Sequence, residues 1–366
     1  MQNLLTQYRR DLHRIPETGF DLPCTLQYVK KVLEQYPCTL ISPCESSLCA
    51  FFDAGKEKTT AFRADMDALP ILEHAQPEYV SQHTGKMHAC GHDGHMAMVL
   101  ALAKSVSENI SNLPRNILLV FQPAEETTGG ARLVCESGIF EKYHCDRIIG
   151  WHLWPDLPKG VIASRPGPLL ARASEITITI LGKSSHVAKP QDGADALFAA
   201  AEFISLAAQR IEELGSPQER RLLKFGKLES GQARNAISAQ STLLGTLRVY
   251  SEEMFQQCKI MMETLAKEIE EKTGCRFFIE FSAGYPPVCN HNELFYMIKE
   301  AIPDLQQLQE PLMIAEDFSF YQQYIPGVFL LLGIGNGIPL HSDIFDFDEN
   351  VLLVGLETDK KLMMLP

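Results

Sequence analysis

Short apolar runs and longer helical stripes alternate along the first part of the chain. Leu48 to Phe52 and Thr60 to Arg63 read as neighbouring strands. Asn116 to Gln122 is a continuous apolar run of the kind buried at the centre of a parallel sheet, and Arg147 to Trp151 resembles another. Between them, His95, Met98, Val99, Leu102, Ala103 and Val106 recur at three-to-four spacing. That period predicts an amphipathic helix after Gly94, starting beside His92. Strands and helices in alternation predict a mostly parallel sheet with helices on both faces.

The middle of the chain has a different rhythm. Ile176, Ile178 and Ile180 alternate with Thr177, Thr179 and Leu181, the period of a strand with one face more buried than the other. A helix over 195–213, strands over 222–228 and 242–249, a helix over 252–273 and a strand over 276–281 follow. This β-α-β-β-α-β order is the ferredoxin-like pattern. After about Gly284 the first rhythm resumes, with Val328 to Leu332 as a further buried strand. The reading is therefore an α/β domain in two pieces, 1–168 and 284–366, with a smaller α+β domain, 169–283, inserted. Short ordered crossings such as Arg165-Pro166-Gly167-Pro168 would join them and allow closure around a ligand.

Length supports two domains, since 366 residues exceed what one hydrophobic core usually organises. The opening residues lack the apolar stretch of an export signal, and no apolar run reaches membrane-spanning length. Ten scattered cysteines in such a chain fit reduced thiols in a cytoplasm better than a disulfide framework. A formal net charge of −13, with no basic stripe to offset it, argues against nucleic acid as a partner.

Four segments carry candidate chemistry. His88-Ala89-Cys90-Gly91-His92-Asp93-Gly94-His95 packs a thiol and imidazoles into a turn before a helix, so that Cys90 and His92 can converge on one ion and Asp93 can steady a histidine. Glu125-Glu126 sits at the carboxyl end of the strand Asn116 to Gln122, where open α/β sheets place ligands. If extended, one glutamate binds metal while its neighbour faces substrate as a general base. His152 follows a strand, and His341 follows the strand Val328 to Leu332 and a Gly-rich loop. Singly, His152 is more often structural, His341 is a weak signal and the glutamate pair is as readily a solvated helix start, whereas so many ligand types in the His88 to His95 block favour a metal. Together Cys90, His92, Glu126, His152 and His341 form a mixed S, N and O set suited to two borderline-soft divalent ions, zinc foremost, with cobalt, nickel or manganese as alternatives.

These residues lie in longer motifs: Arg9-Arg10-Asp11-Leu12-His13-Arg14-Ile15-Pro16-Glu17, Arg63-Ala64-Asp65-Met66-Asp67-Ala68-Leu69-Pro70, the His88 to His95 block, Gln122 to Glu126, Ala315-Glu316-Asp317-Phe318 and Leu340-His341-Ser342. The set, in order over nearly the whole chain, resembles the aminoacylase branch of metallopeptidase family twenty. That branch includes hippurate hydrolases, indole-acetyl-amino-acid hydrolases and N-acetyldiaminopimelate deacetylases. The resemblance implies a zinc-peptidase-like catalytic domain interrupted by a ferredoxin-like lid that mediates homodimerisation. It implies that Cys90 bridges or flanks two ions, that His92, Glu126, His152 and His341 complete their shells, that Glu125 is the base, and that Asp65 orients a ligand. In the lid it implies His186 as oxyanion donor, and Asn235 and Arg248 as binders of the substrate carboxylate. The chain departs from the family pattern at Pro190-Gln191, where a proline-histidine pair is usual, and at Asp195-Ala196, where aspartate-proline is usual.

The function implied is hydrolysis of an N-acyl, foremost N-acetyl, amino acid to a carboxylic acid and a free amino acid. A dipeptidase uses the same chemistry. A non-catalytic metal-binding protein or a thiol redox sensor at Cys90 is the alternative of another class.

Overall fold

The structure is a computed structural model that describes residues 1–216 and 219–366. The chain forms two compact units: Met1–Leu169 with Val288–Glu310 and Asp317–Pro366, and Leu170–Pro287 with Pro311–Glu316. The return of Pro311–Glu316 to the second unit has no counterpart in the hydrophobic pattern.

The first unit is built on an eight-stranded mixed sheet. Its order is Thr39–Ile41, Leu48–Phe52, Asn116–Gln122, Thr59–Asp65, Cys145–Trp154, Gly327–Gly333, Ile162–Ser164 and Gln306–Gln307. The four central strands, Asn116–Gln122 to Gly327–Gly333, are parallel. Leu48–Phe52 and Thr59–Asp65 are therefore not neighbours, because Asn116–Gln122, buried at every position, takes the slot between them. The connection 53–58 crosses the end of that strand and is fastened to it. Asn116 Oδ1 accepts from the Ala54 and Lys56 amides at 2.9 and 3.1 Å, and its Nδ2 donates to the Lys56 carbonyl at 2.7 Å.

The helix His92–Asn109 is buried on nearly all sides from His92 to Val106 rather than amphipathic. It packs on the sheet and is covered in turn by the helices Gln2–His13 and Val351–Leu362. The stripe read from sequence is real, but Met96, Ala97, Leu100 and Ala101 make the remaining surface apolar enough to bury too.

In the second unit four antiparallel strands run in the order Arg276–Phe281, Arg172–Leu181, Gln240–Val249, Leu222–Ser230. Ile176, Ile178, Ile180, Leu243 and Leu247 pack under the helices Ala196–Arg210 and Glu252–Thr273. Each helix has a side-chain cap. Asp195 accepts from the Leu197 and Phe198 amides, and Ser251 from the Met254 amide. Among the described residues, no helix is long and apolar enough to cross a membrane.

Candidate metal centre

The five side chains singled out as ligands converge at the carboxyl end of the central strands of the first unit. Cys90 and His92 flank Gly91, whose φ of 84° reverses the backbone as only glycine does easily. Cys90 Sγ lies 3.4 Å from His152 Nε2 and 3.4 Å from His341 Nε2. Glu126 Oε1 lies 3.3 Å from His341 Nε2 and 3.7 Å from His92 Nε2. Cys90, His92 and His152 form one group of donor atoms within 4.8 Å of one another, and Cys90, Glu126 and His341 form a second. His152 belongs to the end of the strand Cys145–Trp154 rather than following it. His341 is in the left-handed region, with φ 64°. Its amide donates to the Ala89 carbonyl at 2.8 Å, and its side chain is 53% exposed.

Hydrogen bonding aims the rings. His92 Nδ1 donates to the Asp67 carbonyl and His152 Nδ1 to the Leu153 carbonyl, each at 2.7 Å. A carbonyl only accepts, so Nδ1 carries the proton in both and a neutral ring presents its Nε2 lone pair. His92 Nε2 and Glu126 Oε1 are buried without a hydrogen-bond partner among the described residues. Such groups are costly to bury unsatisfied, and a cation between them would satisfy both. His95 is different. Its Nδ1 donates to Asp65 at 2.7 Å and its Nε2 accepts from the Leu153 amide at 3.0 Å, so both ring nitrogens are committed.

The two glutamates are not on extended backbone. Ala124 has φ 58° and residues 125–128 form a turn, held because the Glu125 and Glu126 amides donate to Asp67 Oδ1 and Oδ2 at 2.9 and 3.1 Å. A division of labour between them is thus set by this turn, not by strand alternation. The Glu125 carboxylate shares a donor group with His92 and Glu126. Asp67 was not singled out from sequence, although it lies in the quoted Arg63 to Pro70 motif and organises the turn.

Buried charges surround the site. Asp65 accepts from Arg63 Nη1 at 2.6 Å and from His95, and Arg63 Nη2 donates to Asp317 at 2.8 Å. Burial opposes ionisation of Asp65, but Arg63, His92 and His95 outweigh it and hold its carboxyl well below the usual range. Burial lowers the His92 pKa, yet Asp65, Glu126 and Asp67 raise it to about 9. Burial would raise Glu126, but the His341 and His92 rings bring it down to about 2. Burial, with Glu126 and Glu125, pushes the Cys90 thiol well up. Burial and His95 bring His152 down to about 3, keeping it neutral. The pocket therefore favours positive charge at His92, and a bound cation would compete with that proton and release the Cys90 proton.

Asp93 does steady a histidine, but it is His13, not a candidate ligand. Its Oδ2 accepts from His13 Nδ1 at 2.8 Å and from Arg9 Nε at 2.9 Å. The three remaining candidates belong to the second unit. His186 and Asn235 are exposed on adjoining loops, where the Val187 amide donates to the Asn235 carbonyl at 3.1 Å. Arg248 is half-buried and donates to the Met313 carbonyl.

Residues 61–364 match Peptidase family M20/M25/M40. This chain belongs to that family. It is 34% identical over 362 residues to an N-acetyldiaminopimelate deacetylase of Brevibacillus brevis, covering 97% of this chain and 96% of the other. It is 34% identical over 371 residues to an N-acetyldiaminopimelate deacetylase of Streptococcus uberis, covering 98% of each. Its structure is similar to that of the Bacillus subtilis YXEP protein, described as a dinuclear metal binding peptidase from the M20 family. That TM-score is 0.87 at 29% identity, over 99% of this chain and 97% of the other. As an M20 enzyme the chain is a metal-dependent amidohydrolase.

Proposed function

We propose that this M20 hydrolase cleaves the amide bond of N-acyl amino acids, foremost N-acetyl amino acids, releasing a carboxylic acid and a free amino acid. Cys90, His92, Glu126, His152 and His341 would hold two divalent ions, with Glu125 as the base. One observation carries the reading: two buried polar atoms, His92 Nε2 and Glu126 Oε1, converge without a hydrogen-bond partner among the described residues, in a group with a second carboxylate, Glu125. The mixed thiolate, imidazole and carboxylate set suits zinc first, and manganese, cobalt or nickel next. Bound there, such ions polarise an amide carbonyl and make water acidic.

The rest is the work of the protein. Asp67 holds the Glu125–Glu126 turn, so that Glu126 faces His92 and His341, and Glu125 is assigned to take a proton from the attacking water and return it to the departing nitrogen. His186 is assigned the oxyanion. Its Nδ1 accepts from the Ala188 amide at 3.1 Å, which leaves the Nε2–H to donate. Asn235 and Arg248 are assigned the substrate carboxylate. The strand order of the second unit supports its reading as a ferredoxin-like lid inserted in the catalytic domain. Its edge strands, Leu222–Ser230 and Arg276–Phe281, would serve a homodimer. Ten free thiols fit a cytoplasmic enzyme.

A hydrolysis panel tests the reading. The metal-stripped chain is reloaded with zinc, manganese, cobalt or nickel, then offered N-acetyl amino acids including N-acetyldiaminopimelate, hippurate, and dipeptides. Metal-dependent release of free amino acid from acylated substrates is expected. Preference for dipeptides would make the enzyme a dipeptidase, and stoichiometric metal without turnover of either class would make it a binding protein.

A further inference from the structure

We propose that Arg9 is a positioning residue for this site: one buried guanidinium ties the turn that carries His92 to the loop that follows His341. The proposal rests on the reading that these two histidines hold metal. Arg9 lies in the helix Gln2–His13 and is completely buried. Its Nε donates to Asp93 Oδ2 at 2.9 Å and its Nη2 to Asp346 Oδ1 at 2.7 Å. Its Nη1 donates to Tyr79 Oη at 2.7 Å and to Glu349 Oε1 at 3.3 Å. The guanidinium carbon lies 4.3 Å from the centre of the Phe347 ring and 4.7 Å from that of Tyr79.

Two of these partners, Asp93 and Asp346, lead toward the site. Asp93 is the neighbour of His92, and its Oδ1 accepts from the Gly94 amide at 2.9 Å, so its side chain fixes the first turn of the helix that starts at His92. Asp346 lies on the loop after His341, accepts from Tyr79 at 3.0 and 3.1 Å, and accepts from its neighbour Phe347 at 2.8 Å. His92 sits on a buried helix, whereas His341 is half-exposed on left-handed backbone. Two ligands from distant parts of the chain must nevertheless be held within a fraction of an ångström. A planar fork with donors in fixed directions can span both carboxylates; a lysine supplies the charge but only one point of attachment. Most of this network would be unnecessary for packing alone, since a buried ion pair is often no more stabilising than apolar residues of the same volume.

The test compares full-length wild type with Arg9→Lys, Arg9→Met and Asp346→Asn. Each is stripped of metal and titrated with cobalt(II) while thiolate charge-transfer and d–d absorption are followed. Leu33→Ala, a core truncation on another helix, controls for lost stability. Arg9→Lys should bind cobalt about tenfold or more weakly, with an altered d–d envelope. Its kcat on an N-acetyl amino acid should fall about as far while KM moves less than about twofold. Asp346→Asn, at a partly exposed carboxylate, should show the same pattern in smaller measure and keeps the test decisive should both Arg9 variants fail to fold. The proposal is overturned if the folded variants match wild-type affinity and spectrum, or lose no more than Leu33→Ala does. A wild-type chain that binds no cobalt overturns the metal reading itself, and this proposal with it. That failure shows in the wild type, the other only in the variants.

Discussion

The two units treat polar side chains in opposite ways. The first buries Arg9, Arg63, Asp65, Asp67, His92, Asp93 and Asp317 almost completely and wires them together. Within residues 170–287 the buried polar side chains among those described are serines: Ser174, Ser238 and Ser241. Burying a charge costs several kcal/mol before its partners repay it, so a fold that does this repeatedly in one place is organised around something that place must hold. Among its described residues the second unit bears this cost at one carboxylate, Glu316 in the returning segment Pro311–Glu316. His186 and Asn235 are exposed, and their removal should disturb folding little. A role in the first unit can be argued from geometry, whereas a role in the second has to be argued from kinetics.

The sharpest way to break that contrast is Glu125→Gln. Removing the proposed base while keeping the side-chain volume should lower kcat by about 10³-fold, with two equivalents of metal still bound, as metal analysis and turnover on one sample would show. Loss of metal instead would make Glu125 a ligand and dissolve the division of labour between the paired glutamates. Next in size is His186→Ala. Loss of the proposed oxyanion donor should cost about 10²-fold in kcat, with no shift in thermal midpoint because the ring is exposed. Wild-type turnover would mean that the second unit does not act through this residue.

The part of the site that could be read from sequence is the part written as residue type at a strand end. Glu126, His152 and His341 are ligand types beside strands that hydrophobic runs announce, Cys90 and His92 lie where the helical stripe begins, and the five meet. What escaped depends on partners far away in the chain. The Glu125–Glu126 turn exists because Asp67, near the end of another strand, takes both amides; local alternation cannot reveal that. Asp93 looked local to His92, but Arg9 and His13 claim it. Likewise Leu48–Phe52 and Thr59–Asp65, adjacent in sequence, are separated by a strand that arrives only at Asn116. Periodicity reports what is buried, not against what.

Asp67 therefore offers a smaller and more specific test. Asp67→Asn keeps one oxygen acceptor but turns the other position into a donor, leaving one glutamate amide without its partner. A loss of about tenfold in kcat or in metal affinity is expected. If both stay at wild-type values, the turn is held without Asp67 and the bonding network contributes less to the site than its burial suggests.

The smallest effect concerns a buried acid outside the candidate ligand set. Asp359, on the helix Val351–Leu362, accepts from Trp151 Nε1 at 2.7 Å, while its other oxygen is buried without a hydrogen-bond partner. Burial raises its pKa to about 8 despite the opposing pull of the Trp151 bond, against about 3.9 in an unfolded chain. Between those values the folded chain keeps a proton that the unfolded chain has lost, so its contribution to stability falls as pH rises from about 4 to 8 and then levels off. Asp359→Asn removes that titration while still offering Trp151 an acceptor. The variant should match wild type near pH 4 and melt a few degrees higher at pH 9, read from thermal midpoints across the range. Coincident profiles would mean that this unit tolerates an ionised carboxylate with no partner but an indole. The inference from unsatisfied buried groups to a bound cation would then lose its force at His92 and Glu126 as well.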